Sequence, residues 1–155
     1  MPAIDELLAE VPVLAGLAPA HREAIAGCAH ERVLEAGAYA MREGEPANVF
    51  HVIRQGSVAI ETYVPQRGPQ TIETLHEGDL LGWSWLFPPY RVAFDARAVG
   101  ETEVIEFDGA CLRGKLEHDP ALGYALLRLF TNVIVERLQA TRIRLLDLYG
   151  PVPVR

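Results

Sequence analysis

Hydrophobic and polar positions divide the chain into three stretches with different periods. From Met1 to about residue 30 the pattern is helical. Ile4, Leu7 and Leu8 open it, Pro12 and Gly16 punctuate it, and Pro19 stands near the start of a helix running to Ala29. Ala24, Ile25 and Cys28 give that helix an apolar stripe. From Glu31 to about Phe107 the pattern changes to short alternating runs. Phe50, Val52, Gln55, Val58, Ile60 and Thr62 belong to two such runs, broken by a tight turn at Gln55–Gly56–Ser57. Gly37, Gly44, Gly56, Gly68, Gly78, Gly82 and Gly100 recur as turn punctuation without a true sequence repeat. Short strands with frequent glycine turns predict a sandwich, roll or barrel.

The third stretch, Asp108 to Tyr149, returns to a helical period. Asp108 is placed to cap a short helix, and Asp119 to cap a long one with Pro120 at its first position. Leu127, Phe130, Ile134, Leu138, Leu145 and Leu148 fall on one stripe of the long helix, interrupted by Thr141. Leu126, Val133, Val135 and Leu146 form a second apolar edge. So wide an apolar surface calls for burial on the chain's own strands on one side and on a second copy on the other. Gly150–Pro151 ends the helix and leaves residues 151–155 as a tail. The expected fold is α+β, mainly β. It is one domain over residues 1–150: a double-stranded β-roll (jelly roll) flanked by N-terminal helices and a long C-terminal dimerisation helix over residues 120–149.

Charge and composition remove several function classes from this picture. The net charge of −7 disfavours direct nucleic-acid binding, which needs basic surface. Arg137, Arg142 and Arg144 lie close together and read as a solvated helix face. No apolar run approaches the ~20 residues of a membrane span, and Asp5 and Glu6 near the N-terminus do not fit a secretory leader. A cytoplasmic protein is therefore expected, with Cys28 and Cys111 reduced and packed as small hydrophobes. Neither metal binding nor catalysis is expected. His51 and His76 lack a second histidine one residue away, and His21, His30 and His118 are read as lying in helices or loops.

Several spaced motifs resemble the cyclic-nucleotide-binding domains of the catabolite-activator and kinase regulatory-subunit type. Gly37 to Val58 contains an acidic–Gly–acidic turn, Glu43-Gly44-Glu45, followed by a strand ending at Gly56. Leu75-His-Glu-Gly78-Asp79-Leu-Leu-Gly82 is similar to the lead into that family's phosphate cassette, and Arg137-Leu-Gln-Ala-Thr141 resembles its dimer helix. The resemblance implies a ligand pocket formed by Gly82, Trp83, Ser84, Trp85, Arg91, Val92, Ala93 and Thr141, taking a cyclic nucleotide or another anionic phosphate ligand. Arg91 would supply the guanidinium; its alternative is a surface pair with Asp95 or a glutamate.

Three positions depart from the family pattern. Trp83 stands where a glutamate usually accepts from the ribose, Trp85 where a small residue is usual, and Val92 where a hydroxyl usually donates to the phosphate. Two lost hydrogen bonds, at roughly 1–3 kcal/mol each, would weaken an ordinary cyclic nucleotide about a hundredfold. The two indoles pack in the core or stack on a ligand. The Thr141 hydroxyl bonds a purine edge or its own helix carbonyl. Haem is not expected, since Cys28, His76 and His118 show no distinguishing spacing. The expected function is a homodimeric small-molecule sensor whose long helix shifts on binding and is read by an unidentified effector protein. The alternative is a ligand-free dimeric interaction module with its pocket plugged by Trp83 and Trp85. A stand-alone transcription factor is disfavoured, because no recognition helix is read after Gly150.

Overall fold

Local signals place most of the element boundaries. The computed structural model describes residues 3–148. Proline opens α2 (Pro12–Ala15) and α3 (Pro19–Ala26) behind a first short helix, α1 (Ile4–Ala9). Helix α3 ends before the expected Ala29 because Gly27 caps it and Ala29 already pairs with Phe107. The strands are β1 (Ala29–Leu34), β2 (Tyr39–Met41), β3 (Val49–Gln55), β4 (Val58–Val64), β5 (Gly68–Leu75), β6 (Leu80–Leu81), β7 (Asp95–Ala98) and β8 (Thr102–Asp108). Helices α4 (Gly109–His118) and α5 (Pro120–Leu148) follow.

The strands form two antiparallel sheets, in the orders β1-β8-β3-β6 and β2-β7-β4-β5. Gly56 makes the tight link between β3 and β4 at φ +105°, and a Cβ there would lie 2.7 Å from the Thr102 hydroxyl. Both predicted caps are present: Asp108 accepts from Cys111 N at 3.0 Å, and Asp119 accepts from Leu122 N at 3.1 Å. The expected stop at Gly150–Pro151 and the 151–155 tail lie outside the described residues.

Two cores result. Leu34, Ile53, Val58, Leu75, Leu81 and Val104 belong to one, drawn from both sheets. The larger joins the first sheet to the helices through Leu8, Ile25, Phe50, Phe107, Leu112, Leu126 and Phe130. Helix α5 does not bury its stripe evenly. Its buried residues are Leu122, Leu126, Leu129, Phe130 and Val133, whereas Ile143, Leu145, Leu146 and Leu148 are exposed.

Two expectations are corrected here. Cys28 and Cys111, expected reduced, form a disulfide across 83 residues of sequence, because the end of α3 meets the first turn of α4. His30, expected in a helix or loop, lies in β1 opposite Glu106.

Glu106 is the centre of a polar row across the first sheet. His51, fully buried, places Nε2 2.9 Å from Glu106 Oε2; Arg32 Nη1 lies at 2.5 Å and His30 Nε2 at 3.5 Å. As the carboxylate accepts, His51 Nε2 carries the proton. His51 Nδ1 is buried with no partner among the described residues. The His51 hydrogen bond, aided by Arg32 and opposed by burial, lowers the Glu106 pKa to about 2. A carboxyl depressed in the folded state stabilises above its unfolded pKa and loses that contribution as pH falls through the folded value. Stability is therefore expected to drop by about 1–2 kcal/mol between pH 5 and pH 2 on account of Glu106, solvent screening holding it below the full effect of the shift. Urea midpoints across that range check this: Glu106→Gln should flatten the acid limb, and an unchanged limb would refute the assignment.

Candidate ligand-binding site

The segment between β6 and β7, strands of both sheets and one face of α5 line an open cavity of about 350 Å³. Gly82, at φ +95°, turns the chain out of β6; a Cβ there would also meet Met41 Cε at 2.6 Å. Beyond it the chain makes turns, held by Leu86 N donating to Trp83 O at 3.0 Å and Tyr90 N donating to Phe87 O at 2.9 Å. Among the described residues no helix lies between β6 and β7, so no helix N-terminus offers its amides to the cavity there.

Seven of the eight sequence-predicted site residues line this cavity: Gly82, Trp83, Ser84, Trp85, Val92, Ala93 and Thr141. Arg91 does not. Residues 90–92 run beside 44–47, with Ala47 N donating to Tyr90 O and Gly44 N to Val92 O, both at 2.8 Å. This ladder leaves Arg91 exposed, with Nη1 3.4 Å from Gly44 O. Asp95, its expected surface partner, instead meets Arg42 and accepts from Glu43 N at 2.8 Å.

The two indoles separate. Trp85 is fully buried and stacks on Phe50 (centroids 4.9 Å apart), with its edge to Phe130 at 5.4 Å. Its ring is core. Trp83 is only partly buried and lies beneath the Arg137 guanidinium, 5.3 Å from its ring centroid. Thr141 Oγ1 donates to Arg137 O at 2.8 Å, so the hydroxyl is committed to its own helix.

Arg137 is the guanidinium the sequence reading left on the surface. Its side chain is 15% exposed, donates through Nη2 to Leu80 O, and places Nε 3.9 Å from Glu73. Burial pulls its pKa below the ordinary arginine value, while Glu73, Asp79 and Glu136 act the other way. Arg144 stays exposed but donates to Ile72 O at 2.6 Å. The expected basic face is thus partly spent on β-strand carbonyls. A signal for Arg137 was present in the chain. Ile134, Arg137, Leu138 and Thr141 stand at i, i+3, i+4 and i+7, and all four line the cavity. A charge inside an apolar stripe is the feature to notice.

Among the described residues no cluster of His, Cys, Asp and Glu is positioned to hold a metal, and no helix is long and apolar enough to cross a membrane.

The sequence model of the cyclic nucleotide-binding domain matches residues 31–119, more than half the chain. The chain belongs to the cyclic nucleotide-binding domain family. A CRP-like cAMP-activated global transcriptional regulator of Mycobacterium tuberculosis is 26% identical over 98% of this chain and 66% of its own length. The cAMP-dependent protein kinase regulatory subunit of Schizosaccharomyces pombe is 35% identical over 50% of this chain and 18% of its own. This cyclic nucleotide-binding domain therefore spans less than two thirds of these curated relatives. In fold it resembles a cyclic nucleotide-binding domain from Methylobacillus flagellatus, with a TM-score of 0.79 at 17% identity over 98% of this chain and 85% of the other.

Proposed function

We propose that this domain is a homodimeric small-molecule sensor whose ligand occupies the roll cavity and whose output is the position of α5. The observation that carries it is a shared wall. Ile134, Arg137, Leu138 and Thr141 of α5 line the same cavity as Gly82, Trp83, Ser84, Val92 and Ala93. A ligand that touches α5 in only one of its positions shifts the helix by its differential affinity. Beyond the cavity α5 exposes Ile143, Leu146 and Leu148 at 62%, 70% and 82%, an apolar end suited to a second copy and to an effector protein. The open cavity also favours an occupied pocket over one plugged by Trp83 and Trp85, since the Trp85 ring is spent on the core.

Amide hydrogen exchange, read together with Trp fluorescence during titration with cyclic AMP, cyclic GMP and linear nucleotides, tests the coupling. Trp83 lines the cavity, so a saturable fluorescence change is expected to accompany slower exchange at residues 134–148. A saturable change that leaves α5 exchange untouched would refute the output role. In the same samples, sedimentation should give a dimer that Leu146→Glu converts to monomer.

A further inference from the structure

The cavity's chemistry is unlike that of a nucleotide. Its walls are apolar side chains such as Met41, Ile60, Leu81, Trp83, Phe94 and Leu138. Besides the indole N–H groups of Trp83 and Trp85, four polar residues line it: Glu73, Ser84, Arg137 and Thr141. Thr141 is engaged with its own helix, and Arg137 holds one end of a long contact to Glu73. A nucleotide brings a phosphate, ribose hydroxyls and a heterocycle with several donors and acceptors, and each polar group left unpaired on burial weakens binding. Arg91, the cation such a phosphate would use, is exposed and does not line the cavity.

Arg137 supplies the cavity's cation. A guanidinium has five N–H donors. Among the described residues Arg137 uses one of its donors, on Leu80 O. A largely buried cation with open donors, set at the edge of an apolar chamber, is suited to a single planar anion held by two parallel hydrogen bonds. The volume of about 350 Å³ is at the small end of ligand sites.

We propose that the roll cavity binds an amphipathic monocarboxylate, an apolar body filling the space between Met41, Ile60 and Leu138 with its carboxylate on Arg137. This rests on the sensor reading above and names its ligand class. An aliphatic chain and an aromatic ring system share this chemistry, and separate probes distinguish them. Because Arg137 and Leu138 are neighbours on α5, such a ligand holds the helix through both its head and its body.

The test uses the full chain with sodium decanoate and 2-naphthoate as probes, 1-decanol as an uncharged control, and cyclic AMP as competitor. Thermal midpoint and Trp83 fluorescence are the readouts. At least one acid is expected to saturate both signals; whichever binds tighter identifies the aliphatic or aromatic source. Arg137→Gln should weaken the acid about tenfold or more while leaving decanol nearly unchanged. Arg137→Lys should recover part of the loss. Ala93→Phe, which enters the cavity from its exposed margin, should abolish binding of both acid and alcohol. Acid binding that survives Ala93→Phe, or that ignores both Arg137 variants, overturns the proposal. Saturation by cyclic AMP with no competition from either acid overturns the ligand class and leaves the sensor reading standing. Silence toward acids and nucleotides alike overturns both.

Discussion

Trp85→Ala is expected to cost about 4 kcal/mol of folding stability, the usual size for deleting a large buried aromatic. The indole is fully buried between Phe50 and Phe130, and Phe50 in turn stacks on Phe107 with centroids 4.3 Å apart. These rings come from β3, β8, the segment after β6 and α5, so one deletion loosens four parts of the fold. Gly109 brings the start of α4 close to Trp85; a Cβ on Gly109 would stand 3.1 Å from the Trp85 Cβ. Arg113 donates to the Trp85 carbonyl at 2.7 Å, which fixes the backbone in place. The ring nitrogen Nε1 is buried without a partner among the described residues. Trp85→Phe removes that unmet donor along with part of the ring, so a smaller loss of about 1–2 kcal/mol is expected. Urea denaturation followed by circular dichroism measures both. A loss below about 1 kcal/mol for the alanine variant would show that the ring is not core. Trp83→Ala is the informative contrast: its ring borders the cavity, so the ligand signal should vanish while stability changes little.

The contrast between the two tryptophans also shows what a sequence can reveal. They stand two residues apart in a run of turns, where neither a helical nor a strand period assigns a facing. Only the tertiary fold separates them. Where the determinants are local, the chain is explicit: the Gly56 turn, the Asp108 and Asp119 caps and the proline at the head of α5 all stand where their chemistry predicts. The apolar period of α5 was legible, but how far along it burial extends was not. That depends on where the roll ends, beyond Val133 on its buried side. The cavity lies where the family resemblance implies a pocket, and Gly82, Trp83, Val92, Ala93 and Thr141 all line it. The cation did not follow. Arg91 is turned outward by a ladder to residues 44–47, and Arg137 is drawn inward by the Leu80 carbonyl, 57 positions away. The same holds for His51 and Glu106, 55 positions apart, whose pairing is set by the β3–β8 register.

Reduction of the Cys28–Cys111 disulfide is expected to lower stability by about 4 kcal/mol. The bond joins residues 83 positions apart, and closing so long a loop in the unfolded chain removes conformational entropy of about that size. In the folded chain the bond lies along a seam that is already hydrogen-bonded. Asp108 N donates to Cys28 O at 2.8 Å, and Lys115 Nζ donates to Ala24 O at 2.6 Å. Those contacts survive reduction, so the reduced protein should still fold, with a lower urea midpoint and an unchanged far-ultraviolet spectrum. Cys28→Ala with Cys111→Ala should reproduce the reduced midpoint and make it insensitive to dithiothreitol. Thiol titration of the denatured, unreduced protein decides the premise. No reactive thiol is expected before reduction and two after it; two beforehand would show that the bond does not form. The consequence extends past stability. Helix α4 passes to α5 through the single residue Asp119, so the seam fixes where α5 begins. Loosening it should raise amide exchange in α4 and the first turns of α5 while the roll strands stay protected. Since α5 forms one wall of the cavity, ligand affinity should fall in the reduced protein as well, and equal affinity in both redox states would confine the disulfide to a stabilising role.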